Sequence, residues 1–576
     1  MSSSQKRNIS IIAFLLLIGV LFEMAGLGVL FPAFTVIIKN DITTEYPFLK
    51  PVLEKIGNPS HRQLVFAGMS LLVIVYTIKS LYLYFLYRKQ FRFSTKLSMD
   101  IGQKLFRGYL KHDYAFHLER NSAILMRNIQ MEVTNFNVVT QSIMVVTTEL
   151  IIVLGAFFLL ISVEPIGALV VTFFLGISAF GFQLLTKKKV FKWGKERQNI
   201  EGAINKHLIQ GLGGIKEVKL MGRQQYFIEQ FEFEIRNKAK IMANIATIQQ
   251  VPRLYLELMA MIGLSGLVIM MILQGKELNE LLPVLGVFMG ASFRMIPSTS
   301  RIMGGLQIIK YGQPSLDLFY LEFKMIKDRE FKETAAQVNQ NLSFNEELSL
   351  KNLSFKYSTA HNNALHNISL SIKKDEFVGF VGRSGSGKST IIDVILGLLK
   401  PTEGVVEVDG VNIETGMQTW QKFIGYVPQT VYLTDDSLRR NIALGIDDKK
   451  IDERAVLKAI KAAQLDEFVS SNPEGLNMII GERGVRLSGG QKQRIGIARA
   501  LYHDPLVLVM DEATSSLDTN TEAGVMQAVK ALQGSKTIIV VAHRISTVEN
   551  CDRLFRLEAG KIIEEGKPFD VLKKKT

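Results

Sequence analysis

A glycine-rich segment in the second half of the chain carries the residue types that bind phosphate. It reads GRSGSGKST over residues 382–390, and an apolar run at residues 377–381 precedes it. Glycines let several backbone N–H groups converge on phosphate oxygens, and the N-terminus of the following helix adds its positive end. Lys388 would reach the β- and γ-phosphates of a nucleotide, and the Ser389 hydroxyl would ligate Mg²⁺. The predicted phosphate-binding residues are Gly382, Arg383, Ser384, Gly385, Ser386, Gly387, Lys388, Ser389 and Thr390.

Five further positions could take part in nucleotide chemistry. Tyr357 precedes the glycine loop and could stack on adenine, and Gln429 follows a strand and could contact Mg²⁺ and an attacking water. An apolar strand at residues 506–510 ends in Asp511, which could support the magnesium ion, and Glu512, which could orient or deprotonate water. His543 ends another strand and is a candidate γ-phosphate contact. Taken singly, an acidic pair after a strand or a lone histidine is more often structural.

A second glycine turn lies downstream of the first. Residues 487–491 read LSGGQ and open a helical pattern, and residues 515–518 read SSLD. The turn is a second candidate anion site at a helix N-terminus, formed by Ser488, Gly489, Gly490 and Gln491. From residue 348 onward, short apolar strands alternate with helical segments, which is typical of an α/β nucleotide-binding domain. Each of the later motifs is weak alone, but their joint order and spacing are specific.

The composition of the whole chain points to membrane-spanning segments. The 576 residues are 47% hydrophobic, with a mean hydropathy of +0.18, and both values are high for a wholly soluble enzyme. The net charge of +14 can come from cytoplasmic lysines and arginines near span ends, so it does not indicate a nucleic-acid partner. The single cysteine, Cys551, excludes an intrachain disulfide and is compatible with a reducing cytosol.

Six apolar segments in the first half are long enough to cross a bilayer. Lysines and arginines precede the first segment and follow the second and fourth, so we expect both chain ends in the cytoplasm. The sequence thus predicts a transmembrane domain at residues 1–328, a polar linker at 329–347 and the nucleotide-binding domain at 348–576. The six predicted spans are residues 9–38, 64–87, 143–163, 166–185, 254–273 and a segment from 281 to beyond Pro297.

Long polar links follow the second and fourth spans, and we expect the spanning helices to continue into the cytoplasm and turn there. The predicted turns lie at residues 112–124 and 210–225, and the second has a glycine cluster that would break a helix. On the outer side, residues 49–56 place apolar side chains at helical spacing. This amphipathic helix could lie at the membrane interface and contact a lipid tail, or it could simply pack on the outer ends of the spans.

Four cations sit in or beside the apolar segments, where charge is costly and usually faces a cavity or a partner. They are Lys79, Arg253, Arg294 and Arg301. A cluster of such side chains suits a polyanionic group such as phosphate or pyrophosphate. The alternative is internal pairing, with Arg253 and Glu257 at helical i, i+4 spacing and with Glu23 and Glu149 as further partners.

At this point the chain resembles an ATP-binding-cassette exporter half-transporter over essentially its whole length. The resemblance implies an α-helical six-span membrane domain of the ABC exporter type, followed by an α/β P-loop ATPase domain. It implies that Asp511 supports Mg²⁺, that Glu512 is the catalytic base and that His543 is the switch histidine. Gln429 would couple the nucleotide state to the membrane domain, and the two cytoplasmic turns would be coupling helices. Ser516 departs from the alanine that is more usual in the family.

The family also implies that the glycine loop of one subunit and the LSGGQ turn of the other enclose each ATP. The chain holds one cassette, so the functional unit is expected to be a dimer, most simply a homodimer, although a heterodimer is also compatible. Residues 481–484 read GERG and are similar to the exporter loop that contacts the coupling helices. The resemblance places the chain in a bacterial inner membrane with its ATPase domain in the cytoplasm.

Two stretches in the membrane half, VPRLYLE at residues 251–257 and FRMIPSTSRI at residues 293–302, are similar to bacterial flippases of lipid-linked oligosaccharides. In that subfamily the cavity cations meet the pyrophosphate of a polyprenyl carrier, and here Lys79 stands where arginine is expected. The favoured substrate is therefore an anionic, polyprenyl-pyrophosphate-linked oligosaccharide. The alternatives are export of lipid A, a peptide or a drug, or an ATP-gated channel or regulator; a soluble cassette protein acting on DNA is disfavoured by the six spans.

Overall fold

The computed structural model describes residues 3–38, 54–55, 59–163, 165–273, 278–336, 342–513, 519–542 and 544–573. The chain divides into two compact units. The first contains Met1–His112 and Arg120–Asp328, and the second contains Asp113–Glu119 and Arg329–Thr576. The predicted outer helix at residues 49–56 falls almost wholly outside the described residues.

Six long helices build the first unit, and each predicted span lies on its own helix. The second, at 51 residues, is about 75 Å long, more than twice the thickness of a bilayer core. Spanning helices therefore continue beyond the membrane, as the polar links predict. The six helices are α1 (Ser3–Ile38), α2 (His61–Lys111), α5 (Val133–Val163), α6 (Pro165–Gly213), α8 (Gln224–Leu273) and α9 (Leu278–Ala336).

Among the described residues, four helical segments are long and apolar enough to cross a membrane. They are Ser3–Gly26, His61–Lys111, Ser122–Phe158 and Gln224–Leu273. The other two predicted spans fall on α6 and α9, where several side chains lie outside the described set.

Short helices mark the two places where the chain turns between long helices. The first turn holds α3 (Tyr114–Glu119) and α4 (Ser122–Arg127), followed by a π-helical turn at Asn128–Glu132; the second holds α7 (Ile215–Leu220). Gly214 caps α7, and Gly222 has a φ of +63° that favours glycine. Within the second unit, Ala115 of α3 packs on the hydrophobic core and Glu119 accepts a hydrogen bond from the Ser358 hydroxyl.

Two β-sheets form the framework of the second unit. Its strands are β1 (Glu347–Phe355), β2 (Leu365–Lys373), β3 (Phe377–Gly382), β4 (Glu403–Val408), β5 (Val411–Asn412), β6 (Ile424–Val427), β7 (Val507–Asp511), β8 (Thr537–Val541), β9 (Arg553–Glu558) and β10 (Lys561–Gly566). One sheet has the order β2-β1-β4-β5 with antiparallel pairing, and the other has the order β10-β9-β3-β8-β7-β6. In the larger sheet β9, β3, β8, β7 and β6 run parallel.

The parallel strands explain why distant motifs meet. Strands β3, β7 and β8 are neighbours, so their carboxyl ends lie at one edge of the sheet. The glycine loop follows β3, and Asp511 closes β7. Phe377, Val378 and Phe380 of β3 are fully buried, as are most residues of β7 and β8. The unbroken apolar runs of these strands follow from burial on both faces of the sheet.

Helices pack around these sheets. The described ones are α10 (Lys388–Ile395), α11 (Met417–Phe423), α12 (Leu438–Ile442), α13 (Glu453–Ala462), α14 (Asp466–Ser470), α15 (Gly489–Leu501), α16 (Thr519–Lys530), α17 (Ile545–Val548) and α18 (Pro568–Lys573).

Candidate nucleotide-binding site and membrane cations

The glycine loop adopts a conformation that its glycines make possible. Gly385 and Gly387 have φ values of +78° and +102°, in the region that disfavours other residues. At Gly382, a Cβ atom would lie 2.3 Å from the carbonyl oxygen of Leu557, so the backbone of β9 leaves no room for a side chain. Helix α10 begins directly after the loop, at Lys388. The loop therefore presents backbone N–H groups and a helix N-terminus together, as an anion site requires.

Lys388 lies against the loop rather than in solvent. Its side chain is buried, and its Nζ donates to the carbonyl oxygens of Gly382 and Arg383 at 3.0 Å each. Burial lowers the pKa of Lys388, and the nearby carboxylates of Glu512 and Asp511 oppose that shift. A bound phosphate would offer Nζ an anionic partner in place of two neutral carbonyls.

A cavity of about 500 Å³ opens beside the loop. Tyr357 lies at its edge, and its hydroxyl is 3.1 Å from the Thr390 hydroxyl. The Ser386 hydroxyl is buried and has no hydrogen-bond partner among the described residues, which fits a site that receives a phosphate oxygen. The lining residues are Tyr357, Asn362, Asn363, Ala364, His366, Ser384, Gly385, Gly387, Lys388, Ser389, Thr390, Glu512, Ala559 and Gly560.

The predicted catalytic carboxylate lines this cavity. Glu512 follows β7 with a φ of +48°, a backbone conformation that non-glycine residues rarely adopt and that often marks a functional site. Its backbone N–H donates to the Val541 carbonyl at 3.0 Å, which fixes the turn against β8. The Gln429 side chain donates from Nε2 to Glu512 Oε2 at 2.7 Å. The structure therefore brings Gln429 and Glu512 together.

The LSGGQ turn does not reach this cavity. Ser488 caps α15 and exchanges hydrogen bonds with Gln491: its Oγ accepts from the Gln491 N–H at 3.2 Å, and its own N–H donates to Gln491 Oε1 at 2.8 Å. Ser488, Gly489 and Gln491 are not among the described residues that line the cavity. His543 and residues 515–518 lie outside the described residues.

Several site residues were not foreseen from the sequence. Ala559 and Gly560 form the tight turn between β9 and β10, with φ values of +46° and +76°. The Gly560 N–H donates to the Ser386 carbonyl at 3.0 Å, and its carbonyl accepts from the His366 N–H at 2.8 Å. A hairpin glycine more than 170 positions from the loop gives no local signal of this contact. Asp393 in α10 was also missed, and burial raises its pKa to about 6, with Asp511 adding to the shift.

Three of the four predicted substrate cations are paired with acids. Lys79 Nζ lies 2.7 Å from Glu23 Oε2, and its ammonium also lies 4.7 Å from the centre of the Tyr76 ring. Arg253 donates to Glu257 at 2.9 Å on the surface of α8. These contacts correspond to the internal pairing that the sequence left open beside substrate binding.

Arg301 forms the third pair and differs from the other two. Its Nε and Nη2 donate to the two carboxylate oxygens of Glu149, at 2.5 and 3.2 Å. The Glu149 side chain is 5% exposed, whereas that of Arg301 is 47% exposed. A buried acid thus holds a guanidinium that remains open on one side. The side chain of Arg294 lies outside the described set.

Comparison with known proteins bears on both units. Residues 365–515 match the ABC transporter family, and residues 9–276 match the family described as ABC transporter transmembrane region. An ATP-dependent lipid A-core flippase of Ralstonia nicotianae is 29% identical, covering 83% of this chain and 80% of the relative. The flippase of the same name from Cupriavidus metallidurans is 31% identical, covering 69% of this chain and 67% of the relative.

A solved structure shares the fold over the full length. It is a bacterial Atm1-family ABC exporter with ATP bound, and it covers 100% of this chain and 97% of its own with a TM-score of 0.75 at 21% identity. The predicted fold class, ATP-binding domain and multi-pass membrane location, in the bacterial inner membrane, are thereby confirmed. The chain belongs to the ABC transporter family, as an exporter half-transporter that couples ATP hydrolysis to transport.

Proposed function

We propose that the chain moves a lipid with a phosphorylated, glycan-bearing head group across the inner membrane. The observation that carries this proposal is the Arg301–Glu149 pair, in which a half-exposed guanidinium adjoins the spanning segments. A planar guanidinium suits phosphate oxygens because it can donate two parallel hydrogen bonds. In this proposal the head group displaces Glu149 from Arg301, and Lys79, Arg253 and Arg294 supply further positive charge.

Two head groups share this chemistry. The favoured one is the polyprenyl-pyrophosphate oligosaccharide, which rests on the two stretches at residues 251–257 and 293–302. The second candidate is a lipid A-type glycolipid, and the names of the bacterial relatives favour it. Both carry phosphate on a long apolar anchor, so both fit a half-exposed arginine beside the spanning segments.

Translocation in proteoliposomes tests the proposal and separates the two lipids. Vesicles would contain the full-length protein and a fluorescent polyprenyl-pyrophosphate oligosaccharide or, in a parallel arm, fluorescent lipid A. ATP added outside should remove the head group from the reach of an external glycan-modifying enzyme, and Glu512→Gln protein serves as the blank. Movement in one arm identifies the lipid. Movement in neither arm, with normal ATPase activity, contradicts the proposal.

A matched pair of variants tests the role of Arg301. Arg301→Ala should keep basal ATPase activity and lose at least about tenfold in transport, since one charge-assisted contact contributes roughly 1.5–3 kcal/mol. Arg236→Ala is the control. Arg236 also pairs with a carboxylate, that of Glu232, but this pair is exposed and lies within one helix, α8, at i, i+4 spacing. Equal transport by the two variants would contradict phosphate binding at Arg301.

We also propose roles for the residues that line or adjoin the nucleotide site. Ser389, Gln429 and Asp511 would hold Mg²⁺, Glu512 would orient or deprotonate water, and Lys388 would bind the β- and γ-phosphates. Bound Mg²⁺ supplies charge neutralisation at the phosphates. The buried, unpartnered Ser386 hydroxyl and the glycine loop support this assignment.

The unit that hydrolyses ATP is proposed to be a homodimer, because the LSGGQ turn lies outside the cavity of its own chain. Mixed dimers test this directly. One copy carries Lys388→Ala and the other carries Ser488→Arg, and neither alone should hydrolyse ATP. If each site combines the loop of one copy with the turn of the other, the mixed dimer keeps one complete site and part of the activity. An inactive mixed dimer would contradict the shared site.

A further inference from the structure

Ten cations of the first unit, here called the cation belt, occupy three different helices close to the cytoplasmic ends of the predicted spans. All are exposed except Lys89, which is half-buried. The belt consists of Lys6, Arg7, Arg88, Lys89, Arg92, Lys96, Lys187, Lys188, Lys189 and Lys192. Sequence alone places each group beside its own span, but it does not say whether the groups lie at the same depth.

Contacts between α1 and α2 place the α1 cations near the cytoplasmic end of the α2 group. The Gln5 side chain donates to Asp100 at 2.9 Å. A Cβ atom at Gly19 would lie 3.3 Å from Leu86. Both contacts fit the same antiparallel register, in which the residue numbers of facing positions have a constant sum. That register puts residues 6 and 7 opposite residues 98 and 99, within one helical turn of Lys96.

The same reasoning leads from α2 through α5 to the remaining helices. The Ser94 hydroxyl donates to Asn137 Oδ1 at 2.6 Å, which sets Arg92 level with residues near 140 of α5. A Cβ atom at Gly312 would lie 2.1 Å from Val139 Cγ2, so residues near 311 of α9 share that level.

The last step joins α9 to α6. The ammonium of Lys310 lies 5.1 Å from the centre of the Phe191 ring. A Cβ atom at Gly194 would lie 2.0 Å from the Tyr311 carbonyl oxygen. Residues 187–192 of α6 are therefore level with residues near 85–90 of α2, a range that includes Arg88 and Lys89 and ends close to Arg92. The α6 cations therefore share the depth of Arg88, Lys89 and Arg92, and the α1 cations share that of Lys96.

The surroundings of the belt are those of a membrane edge. Towards the spans, exposed apolar side chains adjoin it, including Tyr84 at 64% exposure and Leu185 at 83%. Within the described residues, the only ion pair of the belt joins Lys192 to Glu196 at 3.7 Å. Lys189 also lies 5.2 Å from the centre of the Trp193 ring, an aromatic side chain typical of membrane interfaces.

We infer that the cation belt binds the anionic head groups of phospholipids in the cytoplasmic leaflet. Cations beside an apolar, bilayer-facing surface are complementary to a lipid that carries phosphate on an acyl anchor. Lys187, Lys188 and Lys189 are consecutive, so they spread over about 200° of the α6 circumference and no single neighbouring helix covers all three. Each basic side chain near a charged leaflet contributes about 1 kcal/mol, or roughly a fivefold preference for anionic over zwitterionic lipid.

Lipid selectivity at the protein surface tests this inference. The full-length protein would be reconstituted without transported glycolipid, and the immobilised fraction of spin-labelled phosphatidylglycerol would be compared with that of phosphatidylcholine. The wild type should retain phosphatidylglycerol several-fold better at low salt, and less so at high salt. Lys187→Gln/Lys188→Gln/Lys189→Gln should lower this preference by at least about twofold.

A control variant with the same loss of charge isolates the belt. Lys206→Gln/Lys449→Gln/Lys450→Gln removes three exposed lysines that are not part of it and should keep the wild-type preference. Arg88→Gln/Arg92→Gln is a second belt variant on another helix, in case the first fails to fold, and it should also lose selectivity. Equal retention of the two lipids by the wild type, or an unchanged preference in both belt variants, would overturn the inference.

Discussion

The nucleotide site and the membrane cations both gather positive charge, but the structure holds the two sets by different means. At the glycine loop, the proposed phosphate-binding groups are backbone N–H groups and Lys388, fixed by a buried strand and by glycine conformations that a side chain would disrupt. In the membrane half, Lys79, Arg253 and Arg301 are held by carboxylates.

This difference matches what each region has to do. Phosphoryl transfer depends on groups that are already in position, because reorganisation during the reaction costs rate. A transport site must bind and then release, and an arginine that exchanges one carboxylate for a phosphate can do both. We therefore expect the first region to be rigid and the contacts of the second to be exchangeable.

The largest effect is expected at Glu512. Glu512→Gln should lower the ATPase rate by about 10³-fold, since general base catalysis contributes roughly 10²–10⁴-fold. The shape of the site is unchanged, so ATP should still bind, and the amide can keep a hydrogen bond to Gln429. Steady-state hydrolysis and binding of a fluorescent ATP analogue measure the two properties. A variant that hydrolyses ATP at the wild-type rate would exclude Glu512 as the base.

The rigidity of the loop can be tested with two glycines that differ in the space available to an added Cβ atom. Gly382→Ala should reduce ATP affinity by about 100-fold, because its Cβ would lie 2.3 Å from a backbone oxygen and force the loop to move. Gly385→Ala has a similar backbone constraint, with φ at +78°, but nothing within 4 Å of its Cβ. Its loss should be only about tenfold, from the cost of the left-handed conformation. Titration with the ATP analogue compares them, and equal losses would mean that strain, not space, governs the loop.

The contrast also explains what could be predicted from the sequence. Strand, glycine loop and helix lie within about 20 consecutive residues, so local pattern and chemistry defined the phosphate site and its strand edge. The hairpin contact at Gly560 depends on pairing between β9 and β3, which no local pattern encodes. In the membrane half, apolar length defined the helices, but which acid meets Arg301 depends on the packing of α5 against α9.

Breaking the Arg301–Glu149 pair should lower the free energy of unfolding, and breaking the exposed Arg253–Glu257 pair should not. Arg301→Ala leaves the carboxylate of Glu149 buried without its partner, which should cost roughly 2 kcal/mol after allowance for solvent at Arg301, a few degrees in Tm. Arg253→Ala should leave Tm unchanged, because both side chains of that pair are largely exposed.

A double variant separates the lost pair from other effects at Arg301. Adding Glu149→Gln to Arg301→Ala removes the buried charge, so Tm should return most of the way to the wild-type value. Thermal unfolding of the purified protein in detergent measures all four proteins. If the double variant is no more stable than Arg301→Ala, the pair does not account for the loss.

The smallest effect is expected at Asp393, whose pKa burial raises from 3.8 to about 6. The folded protein holds this proton more tightly than the unfolded chain does. The contribution of Asp393 to stability is therefore greatest below about pH 4 and falls as the pH rises through 6. Asp393→Asn keeps the shape and removes the charge. At about 1.4 kcal/mol per pKa unit, reduced because the side chain is only partly buried, it should stabilise the ATPase domain by roughly 1 kcal/mol at pH 7.5. At pH 5 the gain should be smaller, because the native carboxyl is then mostly protonated. Tm measured at both pH values tests this, and an equal gain at pH 5 and 7.5 would show that the buried charge is not its cause.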